Sequence, residues 1–268
     1  EEQKNFLNGL TSIDWVEHKK RAWGEDSARY KAKVLGQFPD EADNTFFSQV
    51  ALDKGFDTTI EEDASVRPIL GLDVARFGSD ENVLYVNRGG RVRVEDKWSK
   101  LDLIETARRV HAHAQRVMAD IVNVDVNGVG GGVVDALLRL DEFSDSVYSV
   151  GAINSSNRSP DQARWTNARA YHYDTFRELV ADGKLDIDYE DSQLREEMMS
   201  QSYHFSTRGS ITMTSKDEMR KQGMSSPDSL DAAILSIIDH KDEGPKPGDI
   251  IAVEDVMPEH SFYADSWW

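Results

Sequence analysis

The chain has 268 residues, enough for one large domain or for a domain with extensions. It contains no cysteine, which excludes disulfides, thiol catalysis and cysteine-ligated zinc; nor has it a run of the roughly 18 to 20 apolar residues that a membrane helix needs. The net charge of −18 opposes phosphate binding on average, so any nucleic-acid substrate needs a local basic strip, and some of the excess acid is free to converge on divalent metal.

Residues 1–60 read as a lead-in, with a short amphipathic helix at about 14–22 and then a basic, aromatic segment ending at Gly36 and Pro39. EEQKNFLNGL has no basic region before an apolar core, so no signal peptide is expected. A main domain is expected over 61–242. It opens on the strand RPILGLD and continues in a hairpin that turns at 87–90. LDLIETARRVHAHAQRVMAD has apolar residues at helical spacing. IVNVDV reads as a buried strand, GGVVDALLRL as a helix and SVYSVGA as a strand. DQARWTNARAYHYDTFRELVADG reads as one long helix stopped by Gly183. LDIDY and SYHFSTRGSITMT read as edge strands or a hairpin turning at Gly209. SPDSLDAAILSIIDHK reads as a closing helix capped by Ser226 with Pro227 in its first turn. Residues 243–268 read as an acidic tail, ordered only if Trp267 and Trp268 dock. The order of elements predicts an α/β fold, a mixed central sheet with helices on both faces.

Three aspartates stand at element ends. Asp73 ends ILGLD, Asp125 ends IVNVD, and Asp228 opens the closing helix. Groups so placed gather in the crevice at the strand ends of an open α/β sheet. Carboxylates brought together repel unless a cation binds or some protonate. Hard oxygen donors select Mg²⁺ or Mn²⁺, and two such ions about 3.5 to 4 Å apart clamp a scissile phosphate and activate water. One strand-end aspartate alone is most often a turn former or a cap; three at such boundaries favour the site. Asp231 shares a helix face with Asp228, and Asp80, in GSDEN, is most simply a turn residue.

The loop NGVGGG follows Asp125 directly. Gly128, Gly130 and Gly131 keep side chains out of the space above it, so a polynucleotide backbone has access. A dinucleotide reading fails, because the sixth position counted from Gly128 is Val133, and no P-loop pattern occurs anywhere. Candidate cations for phosphate are Arg76 beside the first acid, Arg158 and Arg164 around SSNRSPDQARW, and Lys216, Arg220 and Lys221 before the third acid. His111 and His113 face different ways on one helix and are assigned no chemistry.

GLDVARFGSDENV, VDVNGVGGGVVDAL and KDEMRKQGMSSPDSLDAAIL together resemble the nuclease domain of the phage terminase large subunit, the DNA-packaging motor, over roughly residues 67–240. WGEDSARYKAKVLGQFP resembles the end of the ATPase domain that precedes the nuclease in that family; the ATPase core is missing from this chain. The resemblance implies an RNase H-like (integrase-type) fold and two-metal cleavage of concatemeric double-stranded DNA during viral genome packaging. By position it implies Asp73, Asp125 and Asp228 as catalytic metal ligands, with Asp231 and Asp80 near the metals. It further implies two Mg²⁺ or Mn²⁺ ions, a portal protein, a small terminase subunit and a separate ATPase as partners, and the host cytoplasm as location. A junction-resolvase-like nuclease of the same fold, a non-catalytic docking module for the packaging motor and a nucleotide phosphatase are the alternatives.

Overall fold

The computed structural model describes residues 45–75, 81–143 and 148–239, with isolated positions 13, 15–17, 20 and 34–36. Positions 13, 15–17 and 20 are helical, in line with the helix expected at about 14–22; the other positions of that stretch, residues 76–80 and the tail lie outside the described residues.

Strands β1 (Ile69–Asp73), β2 (Asn82–Arg88) and β3 (Arg91–Trp98) form an antiparallel meander. The β2–β3 turn uses Gly89 and Gly90 at φ of 59° and 96°, a region open to glycine at little cost. β4 (Ile121–Asp125) pairs with β1 in parallel, and β5 (Ser149–Ile153) with β4 in parallel. The two-residue β6 (Asp186–Ile187) lies along β3, giving the order β5-β4-β1-β2-β3-β6. A separate small hairpin joins β7 (Tyr203–Phe205) to β8 (Ile211–Met213).

Helices cover both faces. α2 (Leu103–Val117) and α3 (Gly130–Phe143) lie on one side, where Leu70, Leu72, Leu84, Val122 and Val124 are buried. α2 starts where the Asp102 side chain accepts from Glu105 N–H and stops at Met118, whose left-handed backbone ends the turn. α1 (Gln49–Asp57), α4 (Ala168–Ala181), α5 (Ser192–Ser200) and α7 (Asp228–Leu235) lie on the other side, over Val83, Tyr85 and Val92. Between β8 and α7 is the six-residue α6 (Lys216–Lys221). The period-two alternation along β1 and β2 thus feeds two cores.

α7 touches β1 backbone to backbone. A Cβ on Gly71 would stand 2.2 Å from Ala232 O and 2.4 Å from Ser236 N, so glycine is required there. The far end of α7 is held by two asparagines of the sheet. Asn123 donates to Leu235 O and Ile238 O at 2.9 and 2.8 Å, and Asn87 donates to Ser236 O at 3.1 Å. These are the orphan carbonyls that every helix end leaves.

Four expectations are corrected. The long helix starts at Ala168, not at 161, because Asn167 caps it by accepting from Ala170 N–H; ahead of it Asp161 holds a turn and Trp165 bridges to Ile211. α5 and α6 fall in stretches not read as helical, and α1 lies in the expected lead-in. The closing helix has no side-chain cap from Ser226; Pro227 occupies the cap position, and regular helix ends at Leu235. The core also reaches before residue 61, since Phe46, Phe47, Leu52 and Phe56 are buried with Val180, Ile187 and Leu194.

Candidate active site

β1 and β4 are parallel neighbours in register, Leu72 opposite Val124, so Asp73 and Asp125 leave the sheet side by side at the same end. α7, seated on Gly71, brings Asp228 and Asp231 to that end, one turn apart on its first turn. Lys216, the first residue of α6, reaches into the group. Its Nζ lies 2.8 Å from Asp231 Oδ2, 3.7 Å from Asp73 Oδ2 and 3.9 Å from Asp228 Oδ1. Asp231 is held on both sides: Tyr173 Oη donates to its Oδ1 at 2.5 Å, while the Lys216 contact is an ion pair whose angle leaves Oδ2 without an aligned hydrogen bond. Arg169 donates to Tyr173 Oη at 3.1 Å and to Thr214 O at 2.9 Å. Asp125, Arg169, Tyr173 and Asp231 line a small open pocket together with Ser155 and His172.

The charges are unequal to one another. Burial pushes the Asp73 carboxyl well above the usual carboxylate range; Lys216 pulls it down, and Asp231, Asp228 and Asp125 push it up again. Asp125 is also raised, first by burial, against the backbone N–H of Asn127. Asp231 is lowered, because Lys216 and Arg169 outweigh its burial. Burial would pull the Lys216 ammonium down, but Asp231 and Asp73 hold it above its ordinary value. One acid is therefore satisfied by the protein, while Asp73 and Asp125 still lack compensating charge.

This donor set fits divalent cations in kind. All its donors are carboxylate oxygens, two of them destabilised as anions, and a positive group, the Lys216 ammonium, already sits among them. Among the described residues no three acids stand together as a ready-made metal cage; Lys216 takes the shared space.

No protein-family model and no curated protein matches this sequence. Solved structures do. The nuclease domain of the large terminase subunit gp2 of bacterial virus Sf6 superposes with a TM-score of 0.64 at 18% identity, covering 73% of this chain and 99% of that one. The large terminase nuclease of thermophilic phage G20c superposes at 0.54 with 14% identity over 72% of this chain and 97% of that one; it has also been solved with bound magnesium. A mutant Sf6 domain has been solved with manganese. The chain has the fold of a large-terminase nuclease domain. That fold is the mixed α/β, RNase H-like architecture anticipated from the sequence.

Within this nuclease fold the remaining sequence candidates sit as follows. Gly128 turns the loop at φ 115°, Gly130 packs where a Cβ would meet Asp125 O at 1.9 Å, and Gly131 faces open space. The facing 154–160 loop is pinned by Ala168 N–H to Asn157 O and Arg169 N–H to Ser155 O. Arg158 is exposed on that loop. Arg164 pairs with Asp174 and Glu178 and stacks on Trp165 at 4.4 Å. Arg220 is exposed and pairs with Asp217 at 3.1 Å, and Lys221 is exposed. Arg76 and Asp80 lie outside the described residues. Sequence reasoning did not single out Arg169 or Tyr173. Their helix reads as core packing, and its apolar spacing hides two polar groups aimed at the acids.

Proposed function

We propose that this chain is a divalent-metal-dependent endonuclease that cuts concatemeric double-stranded DNA during viral genome packaging. One observation carries the reading: on the fold of phage terminase nucleases, Asp73 at a strand end and Asp228 and Asp231 of the helix seated on that strand gather around one half-buried lysine, and Asp125 ends the neighbouring parallel strand. Asp73, Asp125 and Asp228 would hold two Mg²⁺ or Mn²⁺ ions, whose chemistry is to polarise a phosphate and make bound water acidic. Asp231, engaged by Tyr173 and Lys216, stands behind them and fixes the lysine; Asp80 is proposed to supplement the metal shell.

The protein's own groups do the rest. Lys216 neutralises part of the acid cluster and offers a cation to the phosphate. Gly131 leaves the space over the β4 end free for the DNA backbone. Arg158, Arg220 and Lys221, all exposed, are proposed to contact phosphates, together with Arg76 and Arg164; such contacts position the duplex without reading its sequence. A portal protein, a small terminase subunit and a separate ATPase are the proposed partners, and the host cytoplasm the proposed location.

The test is supercoiled plasmid incubated with the protein and Mn²⁺, Mg²⁺ or chelator. Nicked and linear products with either metal, absent with chelator and absent from a folded Asp73→Asn variant, are expected. A plasmid left intact at every metal and protein concentration rejects the reading. Preference for a four-way junction over plain duplex would move it to the resolvase alternative.

A further inference from the structure

Helix α7 begins without a cap of its own. Pro227 stands at the cap position with no side chain able to accept a hydrogen bond, and Ser226 does not serve. Yet the first turn of this helix carries Asp228 and Asp231, and an uncapped turn frays. The missing acceptor comes from elsewhere. Glu197, on α5 and only 8% exposed, accepts from Leu230 N–H through Oε2 at 2.8 Å, across 33 residues of chain. Its Oε1 accepts from Gln193 at 2.9 Å. α5 is itself fastened to the sheet: Asp191 caps it at Leu194 and receives the Tyr85 hydroxyl at 2.5 Å. Lys97 of β3 bonds both Gln193 and Ser229, at 2.7 and 3.1 Å.

We infer that Glu197 is a positioning residue of the nuclease site: acting through Leu230, it caps α7 from a second helix and so fixes where Asp228 and Asp231 stand relative to Asp73. This rests on the proposed metal-dependent cleavage. A buried carboxylate is a costly way to pack two helices, and a leucine would fill the volume more cheaply. What only an acceptor supplies is the bond to an orphan amide at the turn that bears the acids.

The experiment compares wild type with Glu197→Leu, which fills the space without an acceptor, and Glu197→Gln, which keeps one. Three quantities are read on protein shown to be folded by circular dichroism: exchange of the Leu230 amide, Mn²⁺ affinity by titration calorimetry, and kcat and KM on a short duplex. Glu197→Leu is expected to speed Leu230 exchange more than tenfold, to weaken Mn²⁺ about tenfold and to lower kcat, with KM for DNA within about twofold. Glu197→Gln is expected to restore all three to within about threefold. Folded Glu197→Leu with wild-type Mn²⁺ affinity and wild-type Leu230 protection overturns the inference. If that variant does not fold, a Leu230 amide exchanging in wild type as fast as open chain overturns it alone. If wild type neither binds Mn²⁺ nor cuts DNA, the nuclease reading fails, while Leu230 exchange still decides whether Glu197 caps the helix.

Discussion

Gly71 and Ala232 are in direct backbone contact, and the space between them excludes even one methyl group. Strand β1 carries Asp73 and helix α7 carries Asp228 and Asp231, so this contact sets the depth at which the helix acids approach the strand acid. Gly71→Ala should force α7 off the sheet. A destabilisation of about 3 kcal/mol or more, the upper range for overpacking, is expected by urea denaturation, with DNA cleavage falling even in the folded fraction. Wild-type stability would mean that the helix sits farther out.

Lys216 is the half-buried cation among Asp73, Asp228 and Asp231. Lys216→Met leaves those carboxylates with less compensation. Its partial exposure moderates the cost to roughly 1 to 3 kcal/mol without metal. Mn²⁺ should return more stability to this variant than to wild type, because a divalent cation relieves the same repulsion. Thermal unfolding with Mn²⁺ and with chelator measures both effects; equal Mn²⁺ shifts in the two proteins would contradict it.

Asp73 is raised well above the usual carboxylate range, by burial first and by its acidic neighbours. The folded state then holds this proton more tightly than the open chain. The associated stability is present at low pH and is lost as pH rises through the folded value. Metal-free Asp73→Asn should therefore be more stable than wild type at neutral pH, by about 0.5 to 2 kcal/mol, as is common where function strains a fold. It should also lose most of the stabilisation that metal confers. Calorimetric unfolding against pH, with and without Mg²⁺, is the measurement.

Glu197 is pushed up to about 7 from the ordinary glutamate value of 4.5, by burial first and then by Asp228 and Asp231, against the Leu230 amide and Gln193. The sign is again that of a raised carboxyl. Its contribution is whole below about 4.5 and disappears as pH climbs through about 7, a swing on the order of 3 kcal/mol. Glu197→Gln should flatten the stability profile between pH 4.5 and 7 without changing its shape below that interval. An unchanged slope would place the titration elsewhere.

The acids were legible in the sequence for a simple reason. An apolar run that ends on one aspartate marks both a buried strand and its exit, and Asp73 and Asp125 carry that signature in ILGLD and IVNVD. The cations were harder. Lys216 stands among other charges in KDEMRK and reads only as a phosphate contact; its partner Asp73 is more than 140 residues away, and no local pattern encodes the ion pair. α5 escaped notice because SQLREEMMS buries only Leu194, Glu197 and Met198, too short an apolar stripe to separate from a loop. α1 holds Gly55 in its interior, normally a mark against helix, but a Cβ there would meet Val180 Cγ1 at 2.7 Å, so packing overrides propensity. The helix expected from 161 starts seven residues later because the Asn167 side chain accepts from Ala170 N–H and sets its first turn.

Asn123 and Asp125 lie two residues apart on one strand, so both project from the same side of the sheet. The Asn123 amide grips the departing end of the closing helix, at Leu235 and Ile238. One buried amide on an inner strand of the six-stranded sheet thus couples the exit of the closing helix to the strand that bears Asp125. Loosening that amide would free the helix acids and the strand acid to drift apart together.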